Sequence, residues 1–589
     1  MRLLAILELL EQAKLILRGE EGGYLFAHSL IQEAAYSALL RRERRLIHRA
    51  TGEAIEKEHA ASLSEIAPIL ASHFEEAGDD ERALRYRMMA GDAALRVYAL
   101  PEAIDHFSRG LEIAHRLPAA VSTEELLHLY SSRGRAFELA SRHSEALANY
   151  EEMEAAPAGA EEPRLKLAGR MARASILAGS SSRRDADLAE NLSHEALDLA
   201  RTLDDSAAEA KVQWILSNLH GFSGRQPEAV THGEKSLAIA RGHGLREQEA
   251  FTLTDISRVY GSLGRYPEAW SALAQAQALW RKQGNLPMLA DTLASSVLSD
   301  YLRGELARAV ASAEEAQRIS HEIGNLWGQA YSRMFVGSAH RERGEIGLAL
   351  KSWKECLELC EPAGFPGPLI YTRTDIALLH ADVGMVRESE ALLEEAMEAA
   401  EKHFPKYRPV PLLARARLDG LRGNHDVAAR ALREVASVLA ESDPAVGLLT
   451  SRLPVVAAEL ALLRGDFGGA VRAAAGDERL RALGIRAPLP YLHYYRGQAY
   501  LELGELEKAR AAFDEAREES EAMGSRWVLW RVLRGLSEAA ARSGEMAEAE
   551  DWRRKGYADV VEVANTMGDR ALSEAFFSLA EVRTLLPGS

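Results

Sequence analysis

The sequence predicts an all-α fold, a solenoid of about twelve helical hairpins with a period of about 40 residues. At 589 residues the chain is far longer than one ordinary globular core. Ala, Leu, Glu and Arg dominate, aromatic residues make up only 6%, and turn-bounded runs of Val, Ile and Thr are scarce. Glycine and alanine recur at a fixed interval, as in "GSLGRYPEAW" at 261–270, "YLRGELARAV" at 301–310 and "RERGEIGLAL" at 341–350.

Two ladders of small residues define the hairpins. The first ladder places a small residue in every unit, at Ala103, Ala146, Ala189, Ala229, Ala269, Ala309, Ala349, Ser389, Ala428, Ala470, Ala509 and Ala549. Most of these follow a glycine by five residues, and a second glycine ladder, which includes Gly244 and Gly524, is offset by about 20 residues. We expect each glycine to end a helix in the left-handed conformation, and each alanine to lie where the two helices of a hairpin pack closely.

Residues 1–60 do not follow these ladders. The opening "MRLLAILELLEQAKLILRG" is amphipathic, and Glu8, Glu11 and Lys14 interrupt its apolar residues too early for a signal peptide. We therefore expect a helical N-terminal cap over 1–60 and the repeat solenoid over 61–589. Loops are expected at 156–163, 179–185 and 404–411, which are rich in Gly, Ser or Pro.

Charge and hydropathy exclude some classes of partner. The net charge of -17 and the pI near 5.6 argue against nucleic acid, because phosphate-binding surfaces are usually basic. No stretch approaches the ~20 apolar residues that a membrane-spanning helix needs. Two cysteines give no disulfide framework. These features predict a cytoplasmic protein that binds neither nucleic acid nor membrane.

The sequence contains no recognisable catalytic, cofactor-binding or metal-binding motif. No Gly-x-x-x-x-Gly-Lys-Ser/Thr phosphate loop occurs, so the backbone cradle and the lysine that hold a triphosphate are not encoded. Cys356 and Cys360 are four residues apart and could ligate a metal only with two further ligands, so we favour small core residues. His321-Glu322 begins like a zinc-protease helix, but position 325 is Asn. We expect no enzymatic activity, no cofactor and no metal.

Several units resemble the tetratricopeptide repeat (TPR). In 491–520 the residues that match its pattern are Gly497, Tyr500, Ala509, Phe513 and Ala516, and in 91–114 they are Gly91, Ala103 and Phe107. The units here are about 40 residues long, whereas that family usually has ~34. The resemblance implies a right-handed superhelix with a concave binding face.

Units of this length resemble the C-terminal sensor arrays of bacterial signal-transduction (STAND) ATPases, a group that includes the maltose regulator and cyclase-linked or kinase-linked ATPases. Residues 24–56 also resemble the winged-helix segment that ends the ATPase module of such proteins, around Phe26, His28, Tyr36, Arg45 and His48. This resemblance implies a regulatory arm, with an ATPase, kinase or cyclase module as a possible partner.

The TPR resemblance also implies the residues of the concave wall. In TPR arrays the wall is formed by the first helix of each hairpin. The corresponding positions here are Lys211, Trp214, Asn218, Phe251, Arg258, Asp291, Tyr301, Tyr331, Met334, Arg341, Tyr371, Tyr491 and Tyr494. Aromatic and arginine side chains are common in binding sites, although some of these residues could instead pack between adjacent hairpins. Trp214 precedes Asn218 where a two-carboxylate clamp has Lys, which argues against a chaperone-tail receptor.

Two functions fit this pattern. The leading hypothesis is a non-enzymatic scaffold or regulatory arm that binds a protein or peptide partner on the concave face. The alternative is a domain that senses a small molecule such as a sugar. An open groove would suit an extended peptide, whereas a closed pocket with converging polar groups beside aromatic rings would suit a small ligand.

Overall fold

The computed structural model describes residues 2–19, 23–117, 120–140, 142–156, 163–179, 184–363, 365–403, 405–441 and 447–587. Their contacts divide the chain into two compact units, unit 1 (Met1–Ala208) and unit 2 (Glu209–Ser589). Among the described residues, no helix has both the length and the apolar character to cross a lipid bilayer.

Unit 1 opens with a helix, a small antiparallel sheet and two more helices: α1 (Arg2–Gln12), β1 (Ile16–Arg18), β2 (Tyr24–Phe26), α2 (Ser29–Ala38) and α3 (Arg41–Glu58). In the sheet, Ile16 pairs with Phe26 and Arg18 with Tyr24. The segment predicted as a helical cap over 1–60 therefore includes a two-stranded ribbon. The proposed boundary at residue 60 lies inside unit 1.

The rest of unit 1 is a series of antiparallel helices: α4 (Leu63–Ala77), α5 (Asp80–Arg96), α6 (Leu100–Arg116), α7 (Thr123–Leu139), α8 (His143–Ala155), α9 (Pro163–Ala178) and α10 (Ala186–Thr202). Its core contains Phe74, Tyr86 and Phe107, all fully buried. Gly91 on α5 leaves room for the Phe107 ring from α6, since a Cβ at Gly91 would lie 2.6 Å from that ring.

Unit 2 continues the series of antiparallel helices over a longer and more regular stretch of chain. Its first helices are α11 (Ser206–Phe222), which begins just before the unit boundary, α12 (Gln226–Gly242), α13 (Arg246–Ser262), α14 (Tyr266–Gln283), α15 (Leu286–Leu302), α16 (Leu306–Glu322), α17 (Leu326–Glu342), α18 (Ile346–Ala363), α19 (Pro366–Asp382) and α20 (Val386–His403). A short 3-10 helix (Pro405–Tyr407) follows. The remaining helices are α21 (Pro409–Leu421), α22 (His425–Glu441), α23 (Gly447–Leu463), α24 (Phe467–Ala474), α25 (Asp477–Ala482), α26 (Leu489–Glu502), α27 (Leu506–Met523), α28 (Arg526–Arg542), α29 (Met546–Thr566), α30 (Arg570–Ser578) and α31 (Ala580–Arg583).

The alanine ladder marks the second helix of every hairpin, as predicted. Across the described residues it runs through twelve helix pairs, from Ala103 on α6 to Ala549 on α29, and its members are buried. The small side chains bring the paired helices close enough for a side chain of one to reach the backbone of the other. Ser217 donates a hydrogen bond to the Ala229 carbonyl at 2.8 Å, and Ser537 donates one to the Ala549 carbonyl at 2.7 Å. The predicted all-α solenoid of hairpins is confirmed.

The glycine ladders end the helices, also as predicted. Gly224 has φ 77° and Gly544 has φ 85°, and the second ladder behaves alike, with Gly244 and Gly524 both at φ 69°. These values lie in the left-handed region that glycine adopts without steric cost. The sequence therefore encodes both turns of each 40-residue unit directly.

The three predicted loops have different outcomes. Residues 157–162 and 180–183 lie outside the described residues. Residue 404 also lies outside them, and residues 405–411 are largely helical, because Pro405 begins the 3-10 helix and Pro409 begins α21. Proline is tolerated in the first turn of a helix, where its missing N–H has no intrahelical acceptor.

Unit 2 closes on itself, because hairpins far apart in sequence pack together. The Arg486 N–H donates to the Leu302 carbonyl at 2.8 Å. The Ile346 N–H donates to the Thr566 hydroxyl at 3.0 Å across 220 residues of sequence. Helix α17 also contacts α28, and α18 contacts α29. The inner face of this part of unit 2 is therefore covered by its own later hairpins.

Candidate functional site

The predicted wall residues of unit 2 fall into an accessible and a covered set. The accessible set, which we call the open wall, has exposed Lys211 and Arg258 and half-buried aromatic and polar side chains. Its predicted members are Lys211, Trp214, Asn218, Phe251, Arg258, Asp291 and Tyr331, and the structure adds the half-buried Asp255 beside them. The covered set, which we call the closed wall, is buried or nearly so. Its members are Tyr301, Met334, Arg341, Tyr371, Tyr491 and Tyr494. A partner on the inner face would reach the open wall and not the closed wall.

Asp255 organises the open wall. Its Oδ2 accepts a hydrogen bond from the Trp214 indole N–H at 2.7 Å and another from the Asn218 amide at 3.0 Å. These bonds join α11 to α13 and fix the orientation of the indole. The Trp214 and Phe251 rings lie beside each other, with centroids 6.0 Å apart. The result is a half-exposed aromatic pair that is held in place by a carboxylate.

Arg258 lies one helical turn beyond Asp255 and carries an exposed positive charge of the open wall. Its guanidinium lies 4.3 Å from the centre of the Phe222 ring and donates to Asn218 Oδ1 at 3.4 Å. The second contact is long for a hydrogen bond to an amide. Arg258 is therefore held mainly by stacking, and it stays exposed to solvent.

A carboxylate of the open wall is difficult to ionise. Burial and the nearby charge of Asp255 raise the pKa of Asp291 to about 6. Burial also raises the pKa of Tyr331 well above its ordinary value, so its hydroxyl stays protonated near neutral pH. The open wall thus combines aromatic rings, one exposed guanidinium and hydrogen-bonding groups.

In the closed wall, three predicted residues converge on a carboxylate that the sequence did not single out. The Tyr491 hydroxyl donates to Glu342 Oε2 at 2.8 Å, and Arg341 Nη2 lies 3.6 Å from Glu342 Oε1. Tyr301 lines the same cavity as these residues. Burial raises the pKa of Glu342, and Arg341 offsets this only in part. Residues 149 positions apart in sequence therefore share one polar contact.

We use the name closed region for the closed wall together with the charged residues packed beside it, Glu342, Asp375, Asp382, Arg417, Arg452 and Glu459. Among its acids, Asp382 has the most ion-pair and hydrogen-bond partners. It lies 2.7 Å from Arg417 Nη1 and 3.4 Å from Arg341 Nη2, and it accepts a hydrogen bond from the Trp527 indole at 3.1 Å. Burial alone would raise the pKa of Asp382, but the charges of Arg417, Arg341 and Arg531 outweigh it and lower the pKa to about 2. Glu459 completes the arrangement with two hydrogen bonds from Arg417, at 2.6 and 2.9 Å.

A second buried ion pair lies on the neighbouring helices. Arg452 Nη1 is 2.7 Å from Asp375 Oδ1, and Ser338 donates to Asp375 Oδ2 at 2.5 Å. Arg452 Nη2 is buried without a hydrogen-bond partner among the described residues. Arg341, Arg417 and Arg452 all line one cavity of about 90 Å³, to which α15, α17, α19, α21, α23 and α26 each contribute side chains.

Sequence reasoning missed five acids and two arginines: Asp255, Glu342, Asp375, Asp382, Glu459, Arg417 and Arg452. A signal was present for some of them: Asp382 follows Glu342 by one 40-residue period, and Asp255 lies one turn from both Phe251 and Arg258 on the same helix face. Cys356 and Cys360 are buried in the core of unit 2 with their sulfurs 3.8 Å apart. Within the described ranges, no three His, Cys, Asp or Glu side chains are placed to hold a metal ion.

Comparison with known proteins places the repeat type. The tetratricopeptide repeat family model matches residues 490–522, which span hairpin α26–α27. In that hairpin Gly497 faces the Phe513 ring as Gly91 faces Phe107 in unit 1, with the same spacing. Because this hairpin pattern recurs along the chain, the protein is an array of TPR-like hairpins. A search of curated proteins finds no significant match.

Solved structures of other helical proteins show weak similarity. They include the APC/C hetero-tetramer Cut9–Hcn1 (TM-score 0.47, 13% identity, covering 86% of this chain and 95% of that one). They also include aspartyl phosphate phosphatase F from Bacillus subtilis (0.39, 14%, 68% and 94%) and yeast Tom70 (0.31, 13%, 86% and 96%). TM-scores this low do not establish a common overall fold.

Proposed function

We propose that the chain is a non-enzymatic binding array whose open wall holds an extended peptide segment of a partner protein. The observation that carries this proposal is the double hydrogen bond to Asp255, which fixes the Trp214 indole and the Asn218 amide while both stay partly accessible. Half-exposed aromatic side chains beside an exposed arginine are typical anchors for a partner.

The extent of the open wall suits a peptide. It runs over the first helices of four consecutive hairpins, α11, α13, α15 and α17, which carry Trp214, Arg258, Asp291 and Tyr331. Packed helices lie ~10 Å apart, so four of them span about 30 Å. An extended chain rises ~3.3 Å per residue, so about nine residues of a peptide would cover this distance.

The wider role that we propose is that of a scaffold or a regulatory arm for an ATPase, kinase or cyclase module in the cytoplasm. The resemblance of residues 24–56 supports it, and so does the apolar surface of the same region. Leu9, Leu25, Leu30, Leu40 and Leu46 are each more than half exposed. Apolar side chains clustered at one end of a chain are typical of an interaction surface.

A phage-displayed library of random dodecapeptides, panned against the full chain, tests the peptide proposal. We expect enriched peptides that bind saturably. Their affinity should fall at least tenfold for Trp214→Ala and for Asp255→Ala, because each removes an anchor or the group that orients it. Fluorescence anisotropy with a labelled peptide measures the loss.

The matched control is Glu518→Ala, on an exposed acid of α27 that lies outside the open wall. It should leave the affinity unchanged. Peptides that bind all variants equally, or a library that yields no saturable binder, would contradict the proposal. Small-molecule sensing, the alternative, is favoured by a different observation, the cavity of the closed region.

A further inference from the structure

The cavity between the first helices of several hairpins of unit 2 has the composition of a ligand site. It measures about 90 Å³ and combines two kinds of lining. Its lining includes the polar side chains of Arg341, Arg452 and Tyr301 and the aliphatic side chains of Val410, Leu413 and Val456. None of these residues belongs to the open wall, so the cavity is independent of the proposed peptide site.

The polar lining leaves hydrogen-bond donors without acceptors among the described residues. Arg452 Nη2 and Arg341 Nε are buried and have no acceptor among the described residues. The Tyr301 hydroxyl makes no hydrogen bond within the same ranges, and burial raises its pKa to about 12, so it remains a donor at neutral pH. The acids that line the cavity, Glu342 and Asp382, already accept hydrogen bonds from Tyr491 and from Trp527.

Unsatisfied donors of this kind are costly in a low-dielectric interior unless an acceptor reaches them. An arginine also binds a carboxylate more strongly than a neutral group, because the hydrogen bonds are charge-assisted. Arg417 is paired with Asp382 and Glu459, and one nitrogen of Arg452 is paired with Asp375, so the unsatisfied donors of Arg341 and Arg452 define what the cavity binds. An acceptor-rich anion complements this lining better than a cation or a sugar hydroxyl does.

The volume of the cavity and its aliphatic lining restrict the class of ligand further. An apolar cavity of ~150 Å³ binds benzene, so a cavity of about 90 Å³ suits a molecule of about four to six non-hydrogen atoms. We propose that this cavity is a binding site for a small aliphatic monocarboxylate, with its carboxylate between Arg452 and Tyr301 and its alkyl group against Val410 and Leu413.

Isothermal titration of the full chain with sodium butyrate, at constant ionic strength, tests this site. We expect saturable binding near one molecule per chain and a rise of the melting temperature, because a ligand of the folded state stabilises it. Neutral butyramide has the same shape and lacks the charge, so it should bind at least tenfold more weakly. Sodium chloride at matched concentration should not raise the melting temperature.

Two variants test which residues bind butyrate. Tyr301→Phe removes only a hydroxyl and should weaken butyrate about tenfold, and Arg452→Gln should abolish saturable binding. The matched control is Tyr266→Phe, which removes a buried hydroxyl of the same unit that does not line the cavity. It should leave butyrate binding intact.

The proposal is overturned if butyrate and butyramide bind equally, if neither binds because water alone fills the cavity, or if Tyr301→Phe binds butyrate like the wild type. Should Arg452→Gln fail to fold, Tyr301→Phe alone decides. Peptide binding at the open wall is scored in a separate assay, so failure of one proposal leaves the other standing.

Discussion

The residues of the open and closed walls all lie on first helices of hairpins in unit 2, yet the two walls present different chemistry. In the open wall a carboxylate, Asp255, orients an indole and an amide that stay accessible. In the closed region, Asp382 and Glu342 are covered by later hairpins. Asp382 pairs with Arg417 and Arg341, and Glu342 accepts a hydrogen bond from Tyr491. Packing between distant hairpins therefore determines whether a side chain on a first helix is covered.

This difference also changes what each charge contributes. Ion pairs that reach solvent are screened and contribute little to stability. A buried ion pair costs desolvation, and removing one partner leaves the other charge without compensation, which is strongly destabilising. Equivalent substitutions on the two walls should therefore have very different effects on the free energy of unfolding.

The largest effect is expected for Asp382→Ala in the closed region. It leaves Arg417 and Arg341 without the carboxylate that they share, and it frees the Trp527 indole. We expect a loss of about 3–5 kcal/mol in the free energy of unfolding, measured by urea denaturation. Glu518→Ala, at a residue whose side chain is 73% exposed, should change it by no more than ~0.5 kcal/mol. Similar small losses for both would mean that the closed region is solvated.

The next effect concerns the contact that closes unit 2. A Cβ at Gly347, in the first turn of α18, would lie 2.5 Å from the Thr566 carbonyl oxygen at the end of α29. Because a backbone atom cannot rotate away, Gly347→Ala should cost about 1–3 kcal/mol in urea denaturation. Gly242→Ala is the control, since Gly242 ends α12 with nothing within 4 Å of such a Cβ. It should be neutral or slightly stabilising. Equal effects of the two substitutions would contradict the closure.

A smaller effect of opposite sign is expected for Asp291→Asn in the open wall. Burial and Asp255 raise the pKa of Asp291 to about 6, so the folded state favours the protonated form. That contribution is complete below the unfolded pKa of ~3.9 and is lost as the pH rises through about 6. The variant should match the wild type near pH ~4 and exceed it by about 1–2 kcal/mol above pH ~7, after a discount for partial exposure. Urea denaturation at both pH values measures this, and a variant that is less stable at the higher pH would contradict it.

The fold could be predicted from the sequence because local residues encode it. Ala229 and Gly224 fix, respectively, a helix contact and a turn, and both recur along the chain. The ribbon of β1 and β2 escaped prediction because three-residue strands are too short to show an alternating pattern. Local signals therefore account for the hairpins and not for the N-terminal ribbon.

The candidate site could be predicted only in part. The TPR resemblance placed Tyr301, Arg341 and Tyr491 on the inner face, and the structure brings these three together around one cavity. It gave no indication of Asp382 or Arg452, because a charged residue on a helix face is normally expected in solvent. Their burial results from packing between hairpins that are more than 100 residues apart, such as Trp527 against Asp382 at a separation of 145 residues.

The smallest expected effect on stability, for Arg258→Ala, separates a binding surface from a packing surface. Arg258 is exposed, and it is held by stacking on Phe222 and a long contact to Asn218. Its loss should therefore change the free energy of unfolding by no more than ~0.5 kcal/mol. If the open wall binds a peptide, the same substitution should weaken the selected peptides about tenfold, because an exposed guanidinium beside aromatic rings is a typical anchor. Anisotropy and urea denaturation on one preparation give both values. A variant that loses stability and keeps full affinity would show that Arg258 packs between hairpins and that the peptide lies elsewhere.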